Sequence, residues 1–284
     1  MNRKNFINIL CIACLLFFSG CSETEISQLL AKNGFPQSQP YGNPPPAGRA
    51  IAFTVEPIQV VENRLRPALS IFPDAMVDKT PIPGIYAIRQ PNGVAGCPNY
   101  TVADGFVILE HRVPKDEWVY TNGGKVVSAE DELRIRRHIY ANLPQSATIA
   151  MSPVGGTVAT VPMVLYSAID CGPSAKMEET LKKERVGYRI IPFSLRPENE
   201  PLVRYAVCSQ DPMSAWNAIR AKKVSLADAM KKTGQCPASD YKRDIADIQC
   251  MTDVYQFPTA MFSDGTIPPY SELGAIIERH LHKP

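Results

Sequence analysis

Short apolar runs separated by turn dipeptides occupy much of the first half of the chain. Residues 100–102 and 106–109 are two such runs, and Asp104-Gly105 lies between them. Another turn dipeptide, Asn122-Gly123, follows an aromatic run. Because these dipeptides favour the positive φ angles of tight hairpins, residues 76–127 are predicted to form a small, mainly antiparallel β domain.

A helix is predicted to follow this β domain. Ser128 and Asp131 have the spacing of a capping box, and Pro144 lies beyond the last residue with helical periodicity. The arginines of this helix are expected to form a solvated face, and a surface for an anionic partner is the alternative. We expect residues 128–150 to hold the helix and a connection that link two domains.

After Pro162 the pattern changes to strand, helix and strand. Residues 164–169 and 188–193 are apolar runs of strand length, and residues 174–186 have helical periodicity. A strand–helix–strand unit of this kind implies that the two strands pair in parallel through a right-handed crossover.

The rest of the chain is predicted to be helical and then to return to a hairpin. Residues 201–256 have helical character, the hairpin is expected at residues 259–262 with the turn Asp264-Gly265, and Ser271 is the predicted cap of a last helix. This order is that of a thioredoxin-like fold with an inserted helical subdomain. The fold class is therefore a mixed α+β and α/β chain, with the thioredoxin-like domain at residues 151–284.

The N-terminus has the features of a secretion signal. Arg3 and Lys4 supply its positive charge, and residues 6–18 form an apolar stretch too short to span a bilayer. Ser19-Gly20-Cys21 resembles a bacterial lipobox, which makes Cys21 the lipidated first residue of the mature protein. The alternative is an ordinary signal in which this cysteine is incidental.

These features predict a periplasm-facing protein that a lipid holds to a bacterial membrane. Residues 1–20 are the predicted signal peptide, and residues 21–75 are a predicted proline-rich tether without clear periodicity. Ser22, rather than aspartate, follows the lipidated cysteine. In lipoproteins that this segment resembles, that residue usually implies the outer membrane.

Charge and motif content argue against several classes of function. The formal net charge of the 284 residues is only +2 and there is no long basic run, so no nucleic-acid partner is expected. No cysteine or histidine spacing resembles a zinc site, and the chain lacks a G-x-S-x-G elbow and a phosphate-binding glycine loop. We therefore predict no metal and no cofactor.

The cysteine count indicates a reactive or unpaired thiol. Of eight cysteines, Cys11 and Cys14 leave with the signal and Cys21 is lipidated, so five remain. An odd number in an oxidising compartment implies a free thiol or an intermolecular bond. Cys250 is predicted to be a small core residue. Cys97 is predicted to be an unassigned structural thiol, with pairing across a dimer as its alternative.

Cys171 is the candidate nucleophile, because it lies between a predicted strand and a predicted helix. Backbone N–H groups and the positive end of the helix dipole should favour its thiolate form. Pro173 suits the first helical turn, where its missing N–H is not needed. Ser174 could donate a hydrogen bond to the thiolate but cannot attack a mixed disulfide. The alternative is a leftover cysteine in a redox-inactive fold.

Taken together, these segments resemble the DsbC/DsbG family of periplasmic disulfide isomerases over roughly residues 80–284. Residues 169–174 match the active-site segment, and residues 244–247 match a helix that leads to the last strands. Residues 257–260 and 263–266 match the loop in which a cis-proline, here Pro258, faces the active cysteine. The resemblance implies that Cys171, Ser174 and Pro258 form the catalytic site.

The resemblance also implies a disulfide, a dimer and clients. Cys208 and Cys236 bracket the helical insertion where the family has a structural disulfide; two separate buried thiols are the alternative. Residues 76–127 would form a dimerisation domain, giving a V-shaped homodimer with a cleft for unfolded substrates. Ser174 departs from the family pattern because it replaces the resolving cysteine.

The sequence thus predicts a lipid-anchored envelope protein that carries out monothiol exchange at Cys171 on the disulfides or oxidised cysteines of envelope clients. Such a protein would be an isomerase or reductase without dithiol oxidase activity. The alternative function is a redox-inactive scaffold or binding component of a secretion, conjugation or pilus assembly.

Overall fold

A computed structural model describes most of the chain after residue 50. The described residues are 51–69, 74–89, 97–104, 107–112, 117–119, 121–122, 125–152, 159–232 and 241–281. The predicted signal, Cys21, most of the predicted tether and Cys236 lie outside them. Within these ranges no helix is both long and apolar enough to cross a bilayer.

The first unit is a five-stranded sheet in which each strand pairs antiparallel with the next. Its strands are β1 (Met76–Lys79), β2 (Ile85–Arg89), β3 (Asn99–Val102), β4 (Val107–Arg112) and β5 (Glu117–Val119). A short ribbon follows, made of β6 (Thr121–Asn122) and β7 (Lys125–Val126). These strands agree with the apolar runs and turn dipeptides of the sequence.

Helix α1 (Ile58–Leu69) precedes this sheet and corrects the prediction of an aperiodic tether up to residue 75. Val61, Leu65 and Leu69 recur every four residues and are buried against the sheet. The apolar stripe is narrow and the helix contains Pro67, so the sequence alone does not indicate a helix here. Packing against the sheet, rather than helix propensity, stabilises this helix.

Helix α2 (Ala129–Ala141) begins where the capping box predicted. The Ser128 hydroxyl accepts a hydrogen bond from the Asp131 amide at 3.1 Å and donates one to its carboxylate. Ile135 and Ile139 are fully buried on the other face of the helix. The predicted linker helix is therefore part of the core.

A second, four-stranded sheet holds the C-terminal half in the order β11-β9-β10-β8. It consists of β8 (Ile149–Met151), β9 (Ala159–Ala168), β10 (Val186–Phe193) and β11 (Thr259–Phe262). Strands β9 and β10 are parallel, as the strand–helix–strand pattern predicted, and α3 (Gly172–Lys183) connects them. Strand β8 was not predicted because its three residues fall in the expected connection.

Five further helices complete the described chain: α4 (Glu200–Val207), α5 (Pro212–Arg220), α6 (Leu226–Lys232), α7 (Tyr241–Thr252) and α8 (Tyr270–Leu281). Together with the two sheets they confirm the mixed α and β class. Helix α8 starts at Tyr270. Ser271 therefore lies inside the first turn, and the prediction that it caps this helix is wrong.

The predicted C-terminal hairpin is wrong, because β11 pairs antiparallel with β9 and a helix follows instead of a partner strand. The turn itself is present. Gly265 has a φ of +87°, and a Cβ at this position would lie 2.5 Å from the Leu133 carbonyl oxygen of α2. A glycine is required here both for its backbone conformation and for the close approach of α2.

One apolar core joins the two sheets. Tyr100 from the first sheet, Ile139 from α2, Tyr166 from β9 and Ile248 from α7 all belong to it and are fully buried. A second core on the other face of the C-terminal sheet includes Trp216. The predicted domains at residues 76–127 and 151–284 are therefore in direct contact and are not connected by the helix alone.

Polar and covalent links reinforce this contact. Cys97 forms a disulfide with Cys250 of α7, which corrects the prediction of two unpaired thiols. Arg89 donates to both oxygens of Asp247 at 2.9 and 2.7 Å, and the Tyr100 hydroxyl donates to the same carboxylate at 2.9 Å. Burial, reinforced by the Asp247 carboxylate, raises the pKa of Tyr100. The disulfide was not predictable, because its cysteines are 153 residues apart and meet only through the packing of α7 on the sheet.

Candidate functional site

The candidate site is the turn that connects β9 to α3. The apolar run of β9 ends at Ala168, and Cys171 is the N-cap residue of α3, with extended φ and ψ of −101° and 118°. Its amide donates to the Ala168 carbonyl at 3.1 Å, and its own carbonyl accepts from the Ala175 amide at 3.1 Å. Pro173 lies in the first helical turn, where no N–H is needed. The local sequence therefore places a thiol at a helix N-terminus.

Cys171 is the free cysteine among the described residues and is half-buried. Its thiol donates to the Phe257 carbonyl oxygen across 3.6 Å. The peptide bond between Phe257 and Pro258 is cis. The structure thus brings together two of the three predicted site residues, Cys171 and Pro258, from opposite ends of the C-terminal half.

Ser174 occupies a different place from the one we expected. Its side chain is fully buried, and its hydroxyl accepts a hydrogen bond from the Ala168 amide at 3.4 Å. The predicted hydrogen bond from Ser174 to the sulfur is not among the contacts of these two described residues. Because α3 turns Ser174 toward the end of β9, the hydroxyl satisfies a backbone amide of that strand instead.

Asp170 was not among the predicted site residues, yet its carboxylate organises one side of the turn. It accepts hydrogen bonds from the amides of Leu195 and Arg196 and from the side chains of Ser194 and Asn199, all within 3.1 Å. Burial opposes ionisation of Asp170, but the hydrogen bonds outweigh it and hold the pKa of this carboxyl below its usual value. An aspartate before a helix N-terminus was the sequence signal for this role.

A buried ion pair lies on the other side of the turn. Arg220 at the end of α5 and Glu178 of α3 have side chains only 14 % and 9 % exposed, and their closest nitrogen and oxygen are 2.5 Å apart. Arg220 also donates to the carbonyls of Ile169 and Ala168, at 2.7 and 3.0 Å, and to the Ser167 hydroxyl at 2.9 Å. No sequence pattern relates positions 178 and 220, so this pair could not be predicted from the sequence.

Trp216 completes the environment of the ion pair. Its indole N–H donates to the second Glu178 oxygen at 2.8 Å, and the Arg220 guanidinium lies 4.9 Å from the centre of its ring. Ser167 also donates to Glu178. Every polar group of the pair is therefore satisfied inside the protein.

Aromatic side chains connect the Phe257 loop to the end of the C-terminal sheet. The rings of Phe257 and Phe193 are tilted against each other with centroids 5.0 Å apart, and Phe193 stacks on Tyr166. Leu195 and Tyr255, in the two loops that approach Cys171, are 54 % and 50 % exposed.

The other predicted chemical residues lie away from this turn or outside the described residues. Cys208, at the C-terminal end of α4, is disulfide-bonded. Its predicted partner Cys236 is not described, so this pairing stays a prediction. His138 stacks on Phe53, and His280 contacts the Ile276 carbonyl in its own helix. Both histidines take part in packing.

No family model matches this chain, and no curated protein matches it. Similar solved structures include a disulfide interchange protein from Neisseria gonorrhoeae, at 15 % identity and a TM-score of 0.33, covering 49 % of this chain and 99 % of that chain. A periplasmic thioredoxin-like protein from Salmonella enterica serovar Typhimurium has 14 % identity, a TM-score of 0.38, and coverage of 56 % and 100 %. The catalytic domain of Proteus mirabilis ScsC has 16 % identity and a TM-score of 0.37, and the match covers 55 % of this chain and 100 % of that chain. With TM-scores below 0.5, these similarities do not assign a function to this chain. The functional proposal therefore depends on the geometry of the Cys171 turn.

Proposed function

We propose that this chain is a thioredoxin-like thiol–disulfide exchange protein in which Cys171 is the single nucleophile. The observation that carries the proposal is a free, half-exposed thiol at the N-terminus of α3, in contact with the carbonyl that precedes cis-Pro258. In proteins generally, helix N-termini present backbone N–H groups that lack intrahelical partners, and catalytic cysteines are often found there. A thiolate, rather than a thiol, is the nucleophile in disulfide exchange.

The reaction begins when the Cys171 thiolate attacks one sulfur of a client disulfide. A mixed disulfide forms, the client S–S bond breaks, and the released client sulfur leaves as a thiolate that takes up a proton from water. A second client thiolate then attacks the mixed disulfide and releases Cys171. The client gains a different disulfide, so the cycle transfers no net electrons and constitutes isomerisation.

Release depends on a thiol from outside the turn. Ser174 is fully buried and bonded to the Ala168 amide, and a hydroxyl cannot displace a sulfur from a disulfide. Two molecules of an external small thiol can take the place of the client thiol. The first displaces the client thiol and stays bonded to Cys171, and the second displaces the first as a disulfide. The two small thiols are thereby oxidised to one disulfide while the client disulfide is reduced to two thiols. Both routes need a free thiol on the other reactant, so dithiol oxidase activity is not expected.

The test is reactivation of a scrambled, disulfide-bonded protein in the presence of a small thiol. Wild-type protein should accelerate reactivation, and Cys171→Ser should return it to the uncatalysed rate. Lys182→Met, a change at an exposed position of α3 that leaves every cysteine in place, is the control and should reactivate the client at the wild-type rate. Equal rates for wild type and Cys171→Ser would falsify the proposal and favour the redox-inactive scaffold.

The proposed place of action is the periplasmic face of a bacterial membrane. A secretion signal followed by a lipobox cysteine supports a lipid anchor at Cys21, with residues 22–50 as part of the tether. Labelled palmitate should enter wild-type protein and not Cys21→Ala. Incorporation of label into both proteins would contradict lipidation at this residue.

A further inference from the structure

We propose that Arg220 is the positioning residue of the Cys171 turn, an inference that rests on the proposed exchange function. Arg220 belongs to the helical insertion and touches neither the sulfur nor the cis-proline loop through any hydrogen bond of the described residues. It holds the backbone from which Cys171 starts. The insertion would then determine how the nucleophile is presented.

The first argument is that Arg220 and Cys171 share one backbone carbonyl. The Ala168 oxygen accepts from the Cys171 amide at 3.1 Å and from the Arg220 guanidinium at 3.0 Å. The next carbonyl, that of Ile169, accepts from the same guanidinium at 2.7 Å. Arg220 therefore holds two consecutive carbonyls that lie directly N-terminal to the dipeptide Asp170-Cys171.

The second argument is that Arg220 connects the strand and the helix between which Cys171 lies. Its guanidinium contacts the end of β9 on one side and Glu178 of α3 on the other, at 2.5 and 3.2 Å. An arginine side chain presents five donors in a rigid plane, so it can serve these acceptors together. A lysine has the same charge but no fixed fork.

The third argument concerns energetics. A buried ion pair gains little net stability, because desolvation of both charges offsets their attraction. Arg220 and Glu178 are both almost fully buried, and an apolar pair would fill the same space. The hydrogen bonds to the turn are what an apolar pair could not supply.

The insertion also holds the turn from its second side. The loop that precedes α4 donates four hydrogen bonds to Asp170, the residue next to Cys171. Arg220 lies at the far end of α5, in the same insertion. The segment from Ser194 to Arg220 therefore contacts the Cys171 turn at two separate points, the Asp170 carboxylate and the carbonyls of Ala168 and Ile169.

The experiment measures the pH dependence of Cys171 alkylation in folded protein. Because Cys171 is the thiol of interest, labelling is read at its own peptide by mass spectrometry. Arg220→Lys keeps the charge and loses the fork. Arg220→Met/Glu178→Gln removes both charges together, so no unpaired charge remains buried. Lys182→Met is the matched control, since it removes a cation from α3 without touching the turn.

Both Arg220 variants should label at least about tenfold more slowly at neutral pH, with a profile moved to higher pH, while Lys182→Met behaves as wild type. Tenfold corresponds to about 1.4 kcal/mol, the size expected from one lost hydrogen bond to a charged donor. Thermal unfolding is recorded for each variant, and labelling is compared at temperatures equally far below each midpoint. A wild-type profile in either folded variant would overturn the proposal, and if the double variant does not fold, Arg220→Lys alone decides.

The result is distinguishable from failure of the proposed function. If wild-type protein fails to reactivate scrambled clients but the Arg220 variants still alter the labelling profile, exchange is wrong and positioning stands. If reactivation succeeds and depends on Cys171 while the Arg220 variants label as wild type, only the positioning role is wrong.

Discussion

At the scale of single residues, Ser174 decides what chemistry the turn can perform. Serine and cysteine differ by one atom, and Ser174 is fully buried with its oxygen bonded to the Ala168 amide. Ser174 is therefore redox-inactive, and its hydroxyl has a structural role as the acceptor of a backbone hydrogen bond. This makes it the most direct place to separate monothiol from dithiol behaviour.

We expect Ser174→Cys to convert the turn into a dithiol. A second thiol three residues after Cys171, in the first turn of α3, has the spacing of a C-x-x-C redox pair. Loss of the Ala168 hydrogen bond should cost about 1 kcal/mol of unfolding free energy. Insulin reduction should rise above the wild-type rate, and oxidised protein should lose two titratable thiols. Ser174→Ala, which loses the same hydrogen bond, serves as the control, and equal insulin rates for the two variants would contradict the prediction.

Asp170 should contribute to the acid sensitivity of the fold. Its pKa is lower in the folded protein than in the unfolded chain. Asp170 therefore contributes to the free energy of unfolding at pH values above its unfolded pKa, about 3.9, and this contribution is lost as pH falls through its folded pKa. Asp170→Asn should therefore flatten the fall of unfolding free energy between about pH 5 and pH 2. Urea unfolding across this range measures the slope. Glu198→Gln removes a carboxylate from the same loop region; a slope that changes equally in both variants would count against Asp170.

At the scale of elements, the described N-terminal helix is attached by a few buried side chains. Leu65 of α1 is 2 % exposed, whereas Val60 in the same helix is 43 % exposed. Leu65→Ala should lower the unfolding free energy by about 2–5 kcal/mol, because it leaves a cavity between α1 and the sheet. Val60→Ala should change it by less than about 1 kcal/mol. Chemical denaturation of both variants tests whether α1 belongs to the cooperative unit.

The sequence could predict the elements whose signals are local. The Ser128 cap, the parallel pairing around α3 and the thiol at its N-terminus follow from residues close together in the chain. What could not be predicted depends on packing between distant segments. The Cys97–Cys250 disulfide and the contact of Arg220 with the turn form only when separate helices dock. Short β8 lacks enough residues to show any periodicity.

At the scale of the whole molecule, the first sheet is fixed to the C-terminal half. The Cys97–Cys250 bond and the Arg89–Asp247 pair both connect it to α7, the helix that leads into the cis-Pro258 loop. Residues 76–127 are still the segment we propose for a homodimer contact. Two such subunits would carry their exchange sites on rigid bodies, and sedimentation of the mature protein would show whether they associate.

Removal of the Cys97–Cys250 disulfide should loosen this whole arrangement. It closes a loop of 153 residues, for which the loop-entropy model gives up to about 5 kcal/mol. Cys97→Ala/Cys250→Ala should therefore unfold at a lower urea concentration than wild type, and its first sheet should become more sensitive to protease. Cys97→Ser/Cys250→Ser distinguishes loss of the bond from loss of packing volume. If both double variants have the wild-type midpoint, the bond does not stabilise the fold.

The same disulfide has a consequence for how the protein is made. Cys97 pairs with a cysteine that follows both Cys171 and Cys208 in the chain. If the chain is exported N-terminus first, as the proposed secretion signal implies, Cys97 reaches the oxidising side before Cys250, and Cys171 is the next cysteine to arrive. A chain that pairs its cysteines in order of arrival would bury its own nucleophile in a Cys97–Cys171 bond. For such a chain, maturation would require disulfide shuffling, and the newborn protein would itself be a client of the chemistry that the mature protein is proposed to perform.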